Sequence, residues 1–155
     1  MKTTIFVLFI ILCFGKSDDL QLINATSQKW TSGIGISKGT KFFFSFQVYK
    51  SSDKLSINGV WINDKLLIPK VFGIKNKQRT TNFNKQDTIM LMCTEIIKLK
   101  NKDIEISEDV KEKISMPYKY NGAALIVYKI GKKEKYLEIE KIKKFNPLNY
   151  PSKNQ

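Results

Sequence analysis

The sequence predicts an all-β domain, namely a two-sheet antiparallel immunoglobulin-like sandwich of seven or eight strands with one short helix. Apolar residues recur at every second position through most of the chain, which is the period of half-buried strands. Turn-forming residues separate these runs at intervals typical of sandwich domains. The chain has 155 residues, enough for one domain with its own core. A small β-barrel is the alternative fold.

The N-terminus has the pattern of a secretory signal peptide. Lys2 supplies a positive charge, and the run from Ile5 to Phe14 carries none, as in the apolar part of such signals. This run is shorter than the about 20 residues that a membrane-spanning helix needs. We expect cleavage after Ser17, although a second small-residue pattern ends at Gly15. Residues 18–155 would then form a single secreted or periplasmic domain without an integral membrane segment.

Cys13 offers a second route of export, because it closes the apolar run as the acylated cysteine of a bacterial lipoprotein does. The segment "KSDD", Lys16 to Asp19, resembles the acidic tag that follows the lipidated cysteine in surface lipoproteins of some Gram-negative bacteria. Under this alternative, the protein is an outer-membrane lipoprotein anchored at Cys13. An uncleaved anchor is the third alternative.

The clearest predicted strand is "KFFFSFQVYK", Lys41 to Lys50. Phe42, Phe44, Phe46 and Val48 fall on one face of it, and the residues between them fall on the other. "LSINGVWIN" continues the pattern, with Trp61 expected to plug the core of the sandwich.

Asn63-Asp64 separates that strand from "KLLIP" and predicts a tight hairpin, since both residue types tolerate the left-handed backbone of such turns. The polar and poorly periodic segment from Lys70 to Asp87 is interpreted as a loop or ragged edge. "TIMLMCTEI" resumes as a strand that is apolar on both faces, which indicates a central position in a sheet.

The helix is predicted at "SEDVKEKI", where Ser107 is the N-cap and Pro117 prevents a long continuation. "GAALIVYKI" and "KYLEIEKI" then predict a final hairpin with Leu137 and Ile139 inward. The alternative for residues 135–145 is a helix. The tail "NPLNYPSKNQ" is expected to be an ordered edge that frays.

The chain is strongly basic, with a formal net charge of +13 that falls to +11 once Lys2 and Lys16 leave with the signal. This balance favours anionic partners such as nucleic acid, lipid headgroups or acidic glycans. Arg79 is the only arginine, and bidentate recognition of phosphate depends on arginine. An ordinary solvated surface is the alternative explanation of the charge.

Histidine is absent from the sequence. Ser-His and Cys-His catalysis and histidine-ligated zinc are therefore excluded, which leaves lysine or carboxylate chemistry. "SSDK", Ser51 to Lys54, matches the Ser-x-x-Lys pattern of acyl-transfer enzymes but is expected in a turn rather than opening a helix. Gly33, Gly35 and Gly39 precede a predicted strand, whereas phosphate loops precede a helix, so we interpret them as a crossover or bulged hairpin. We predict no catalytic residues.

No metal site or cofactor is predicted. "DIEISED", Asp103 to Asp109, alternates oxygen ligands but lacks the glycine and glutamate of a calcium loop. Cys93, within an apolar strand, is expected to be a buried small residue rather than a reactive thiol. Glu138 and Glu140 are interpreted as cross-strand charge partners of lysines.

The best sequence candidate for a binding site lies within the predicted loop, where Lys75, Lys77 and Arg79 precede Phe83. Basic residues interleaved with aromatic residues bind single strands or acidic sugars through charge and stacking. Loops on a rigid sandwich are common positions for such sites.

Three stretches, "SQKWTSGIGISKGTKFFFSF", "VWINDK" and "PYKYNGAALIVYK", make the chain similar to uncharacterised small secreted or lipid-anchored β-rich proteins of Gram-negative bacteria. The resemblance implies an envelope location and a β-rich fold, and no activity. We therefore expect an exported non-enzymatic binding or interaction module of the envelope or the medium, with another envelope protein or an anionic polymer as candidate partners. A binder of an anionic polymer and a hydrolase that uses lysine and carboxylates are the alternatives.

Overall fold

The computed structural model describes residues 17–32, 37–75, 78–99, 104–105 and 115–150. Within these ranges the chain is all-β and contains no helix. The strands are β1 (Leu20–Thr31), β2 (Ser37–Val48), β3 (Leu55–Ile62), β4 (Lys65–Leu67), β5 (Lys70–Lys75), β6 (Gln78–Thr80), β7 (Thr88–Leu99), β8 (Ile104–Glu105), β9 (Ala124–Ile130), β10 (Lys133–Ile139) and β11 (Lys143–Asn149).

The strands form two separate sheets, which confirms the predicted sandwich and not the alternative barrel. The large sheet has the order β11-β1-β2-β7-β5-β6, with β8 beside β7, and the small sheet has the order β10-β9-β3-β4. The sets β1-β2-β7-β5 and β3-β9-β10 correspond to strands A-B-E-D and C-F-G of immunoglobulin domains. The immunoglobulin-like arrangement is therefore present. Two details differ from the prediction: there are more short strands than seven or eight, and β11 pairs with β1 in parallel.

The core between the sheets follows the alternation read from the sequence. Phe44, Phe46 and Val48 of β2 are fully buried and Phe42 is 8% exposed, whereas the intervening residues of β2 are half-buried. Their partners on the other sheet include Tyr128, which is 1% exposed. Because the described domain contains no disulfide, this apolar layer is a main source of its stability.

Both predicted hairpins are present. Asn63 and Asp64 adopt φ values of 47° and 64° and join β3 to β4, as the left-handed tolerance of these residue types predicts. Gly131, with φ of 58°, turns β9 into β10. Leu137 and Ile139 of β10 are buried at 6% and 0% exposure. Residues 133–139 and 143–149 are strands, so the alternative of a helix through residues 135–145 is wrong.

The interpretation of Lys70 to Asp87 as a loop is wrong for half of its length, whereas the alternative of an edge fits residues 78–80, which end the strand order of the large sheet. Residues 70–75 form β5, which pairs with β7, and residues 78–80 form β6, which pairs with β5. β7 therefore lies between β2 and β5, which confirms its central position. The predicted helix at residues 107–114 lies outside the described residues.

Trp61 is buried at 4% exposure, but it does not lie in the core between the sheets. The strand register shifts between Ile57 and Gly59. Leu55 and Ile57 pack into the main core before this bulge, and Val60 and Ile62 do so after it. A bulge inserts one extra residue and so exchanges the two faces of a strand. Trp61 therefore packs on the outside of the small sheet.

Candidate binding face

The structure does not assemble the predicted binding site as a loop. Lys75 is the last residue of β5 and Arg79 lies within β6, while Lys77 lies outside the described residues. Phe83 is 6% exposed and belongs to the main core, and its carbonyl accepts a hydrogen bond from the Ser52 amide at 3.0 Å. A ring buried in this way cannot stack on a ligand, so the role predicted for Phe83 is corrected.

The structure describes the positions of some of the other residues that the sequence singled out. Cys93 is fully buried, and burial raises the pKa of its thiol to about 12, which confirms the interpretation as a buried small residue. Cys13 and Gly33 to Ile36 lie outside the described residues. Ser51 lies in the turn before β3, as predicted, and its side-chain hydrogen bond is the main cause of the lowered pKa of Asp53.

Glu138 accepts a hydrogen bond from the backbone amide of Asn121 at 2.8 Å. Within the described part of the chain, no group of three or more Cys, Asp or Glu residues is placed to hold a metal ion. The same part of the chain holds no helix of the length and hydropathy that a membrane crossing requires.

The outer face of the small sheet is covered by the chain itself. Trp61, Leu125 and Val127 form a second buried cluster, against which Met116 and Tyr120 pack. The Tyr120 hydroxyl donates a hydrogen bond to the carbonyl of Trp61 at 3.1 Å. The segment before β9 therefore closes this face, and an open groove of about 300 Å³ remains at its edge.

The outer face of the large sheet is also apolar, and we call it the outer face from here on. Residues that pair directly across a sheet share one of its faces. One row across this face joins Leu148, Trp30, Gly39 and Ile96. The neighbouring rows contribute further apolar side chains, namely Phe43, Phe72, Met90, Met92 and Phe145.

Several apolar side chains of the outer face are open to solvent, unlike those beside Trp61, while the central ones such as Phe43 and Met92 are half-buried. Ile96 is 41% exposed, Phe145 is 50% exposed and Leu148 is 42% exposed. Ile74, which shares a side of β5 with Phe72, is 44% exposed. A contiguous exposed apolar patch on a soluble domain marks an interaction surface.

Lysines predominate among the charged residues of the outer face. Lys41, Lys70 and Lys143 lie in the same rows as its apolar residues, and no Asp or Glu occupies a described position of these rows. Glu95 pairs with Thr40 and forms an ion pair of 2.8 Å with Lys65 of the small sheet, so it points toward the other sheet. The row beyond Ile96 holds one acidic residue, Glu105 of β8, which pairs with Lys98. The described rows of this face therefore carry an excess of positive charge.

Trp30 is positioned by a glycine of the neighbouring strand. A Cβ atom on Gly39 would lie 2.9 Å from Nε1 of the indole and 2.1 Å from the carbonyl oxygen of Glu95, so only glycine leaves room for both. Tyr150 meets Trp30 edge-on at 6.4 Å between ring centroids and accepts a hydrogen bond from Lys41 Nζ at 3.2 Å. The role of Gly39 in the structure is therefore steric, because it leaves room for the Trp30 side chain that packs against Tyr150.

Sequence reasoning missed this surface, although its signal was present. The strand predicted at "TIMLMCTEI" is apolar on both faces, a pattern that indicates a central position in a sheet but does not say whether its outer side is covered. Comparison with known proteins adds no guide to its function: no family model, no curated protein and no solved structure matches the chain.

Proposed function

We propose that this protein is an exported, non-catalytic binding domain that contacts an anionic partner through the outer face of its large sheet. The observation that carries the proposal is the composition of this face, in which apolar side chains share rows with lysines and the one described acidic residue, Glu105, pairs with Lys98 at the margin. The net charge of +13 for the whole chain has the same sign. A surface with this charge attracts anions from solution and repels cationic ones.

Export is supported by the sequence alone. Within residues 1–17, the basic Lys2 is followed by an uncharged apolar run, as in a secretory signal peptide. The non-catalytic assignment is supported by the surroundings of the lysine–carboxylate pairs. Lys65 with Glu95, and Lys135 with Asp19, each join one sheet to the other. Ion pairs of this kind secure the sandwich, and neither pair lies on the outer face.

The test measures binding of the purified full chain to three polyanions: heparin, single-stranded oligo-dT and vesicles that contain an anionic phospholipid. A charge variant of the outer face, Lys70→Gln with Lys143→Gln, is compared with Lys119→Gln plus Lys132→Gln. All four lysines are exposed, and each pair removes the same charge. We expect binding to at least one polyanion, and a larger loss in the outer-face variant.

Equal losses in the two charge variants would show that only net charge matters, and absence of binding to all three polyanions would contradict the proposal. Export has its own measurement, which is the N-terminal residue of the protein recovered from the envelope and medium of an expressing bacterium. Recovery from the cytoplasm alone, with Met1 or Lys2 as its first residue, would contradict that part.

A further inference from the structure

We infer that the anionic partner of the outer face is a lipid surface, onto which the large sheet lies flat. This inference rests on the proposed function and names the partner class. Three features of the face distinguish a lipid surface from a soluble polyanion: its aliphatic side chains, its type of cation and its shape.

Aliphatic side chains are the first feature. Ile74, Ile96 and Leu148 are each more than 40% exposed on the outer face. A nucleic acid or glycan would gain from the lysines and the aromatic rings, but it would leave these groups in water. Apolar side chains insert to a depth of about 5–10 Å at the boundary between lipid headgroups and acyl chains. A lipid surface would therefore contact both the lysines and the aliphatic side chains of the face.

The second feature is the type of cation. The described basic residues of the face are lysines, namely Lys41, Lys70, Lys98 and Lys143, and Arg79 is the only arginine in the sequence. Reading a fixed phosphate geometry depends on the planar fork of arginine, whereas lysine acts as a mobile point charge. Mobile point charges suit a fluid layer of headgroups, since no fixed geometry has to be matched.

Shape is the third feature. Five neighbouring strands, β11, β1, β2, β7 and β5, carry the face, and at about 4.8 Å per strand spacing they extend over about 19 Å. On the opposite side of the sandwich, by contrast, Met116 and Tyr120 cover the apolar cluster of Trp61. A broad sheet face matches a planar partner better than a linear polymer.

The experiment measures partitioning of the full chain to vesicles of neutral phosphatidylcholine and to vesicles that also contain phosphatidylglycerol. We expect tighter binding to the anionic vesicles. Lys70→Gln with Lys143→Gln should weaken this binding about 25-fold, because each lysine near an anionic surface contributes about a factor of five. The matched control, Lys119→Gln with Lys132→Gln, should weaken it at most a few-fold.

An apolar pair of variants tests insertion. Ile96→Thr should weaken binding to anionic vesicles about fivefold, from the loss of roughly half of the exposed isoleucine area. Ile68→Thr changes an isoleucine that is 60% exposed in the connection between β4 and β5 and should leave binding unchanged. All variants keep the same N-terminal apolar run, so differences among them report the face, and far-UV circular dichroism checks that each is folded.

Face-dependent binding to heparin or oligo-dT without preference for anionic vesicles would overturn the lipid inference and leave the proposed function intact. Absence of binding to every polyanion would overturn both. Anionic vesicle binding that Ile96→Thr leaves unchanged would also overturn the inference, since charge alone would then account for it.

Discussion

Substitution of Lys135 by methionine tests how the two sheets are joined at the start of the domain. Asp19 precedes β1 with its side chain only 5% exposed, and Lys135 of β10, 34% exposed, donates a hydrogen bond to it. The pair thus links the large sheet to the small sheet. Methionine keeps most of the aliphatic stem but leaves the buried carboxylate without its partner.

The expected cost is intermediate between two limits. Breaking a fully buried ion pair costs about 3–5 kcal/mol, whereas an exposed pair contributes about 0–1 kcal/mol. Since water reaches the ammonium of Lys135 but hardly the carboxylate of Asp19, we expect Lys135→Met to lower the free energy of unfolding by about 2 kcal/mol at pH 7. Adding Asp19→Asn should recover part of this loss, because the unpaired buried charge is then removed.

The assay is urea denaturation followed by tryptophan fluorescence, with both single variants, the double variant and Lys133→Met as a control. Lys133 lies on the same strand and is exposed, so its substitution makes the same charge change and should cost less than about 0.5 kcal/mol. If Lys135→Met falls within 0.5 kcal/mol of wild type, the carboxylate is already solvated and the argument from burial fails.

The pH dependence of the same pair has a defined sign. The hydrogen bond with Asp19 is the main cause that raises the pKa of Lys135 above its ordinary value of 10.5. The stabilisation is then fully present below the unfolded-state pKa and is lost as the pH rises through the folded-state pKa. The difference in stability between wild type and Lys135→Met should therefore be constant near neutral pH and shrink above about pH 10.5.

Three further changes follow from local geometry. Gly39→Ala should destabilise the domain by at least about 3 kcal/mol in the same assay, because its Cβ would lie 2.1 Å from the backbone oxygen of Glu95; a loss below 1 kcal/mol would contradict this. Cys93 should react with iodoacetamide about 1,000-fold more slowly in the folded than in the urea-unfolded protein at pH 8, since burial raises its thiol pKa from 9.0 to about 12. Asp64→Gly should stabilise the β3–β4 hairpin by about 0.5 kcal/mol, because its φ of 64° favours glycine, and a lower urea midpoint would be evidence against it.

Much of the fold was predictable because its signals are local. In β2, apolar and less apolar positions alternate without interruption, so the buried face follows directly from the sequence. The Asn63-Asp64 turn was predictable for a similar reason, since only a few residue types adopt positive φ. Strands of this kind need no knowledge of their partners to be recognised.

The elements that were missed depend on distant partners or on interruptions of the alternation. In β5 the inward positions are Val71 and Gly73, so a glycine occupies a place where an apolar side chain would have marked a strand. Every residue of β11 is exposed and Pro147 lies within it, so it has no buried stripe at all. It forms a strand because it pairs with β1, which lies more than 100 residues earlier in the chain.

Trp61 shows a different limit. The sequence indicated correctly that the side chain is buried, but the face on which it lies depends on one extra residue in the bulge between Ile57 and Gly59. Counting in steps of two from Leu55 places Trp61 in the main core, and the bulge reverses this parity. Gly59 is the one local signal, since a glycine within a strand often marks a bulge, but it can equally mark a close approach of another chain segment. Burial was therefore easier to predict than direction.

The same reasoning explains why the outer face was overlooked. A strand that is apolar on both sides indicates that both sides are covered, but the sequence does not say whether the cover belongs to the chain. For the cluster of Trp61 it does, since Met116 and Tyr120 supply it. For Ile96 and Leu148 no described segment supplies it, and both remain more than 40% exposed. Since exposed aliphatic groups cost free energy in water, their placement among lysines is the basis of the proposed partner, which is itself apolar and anionic.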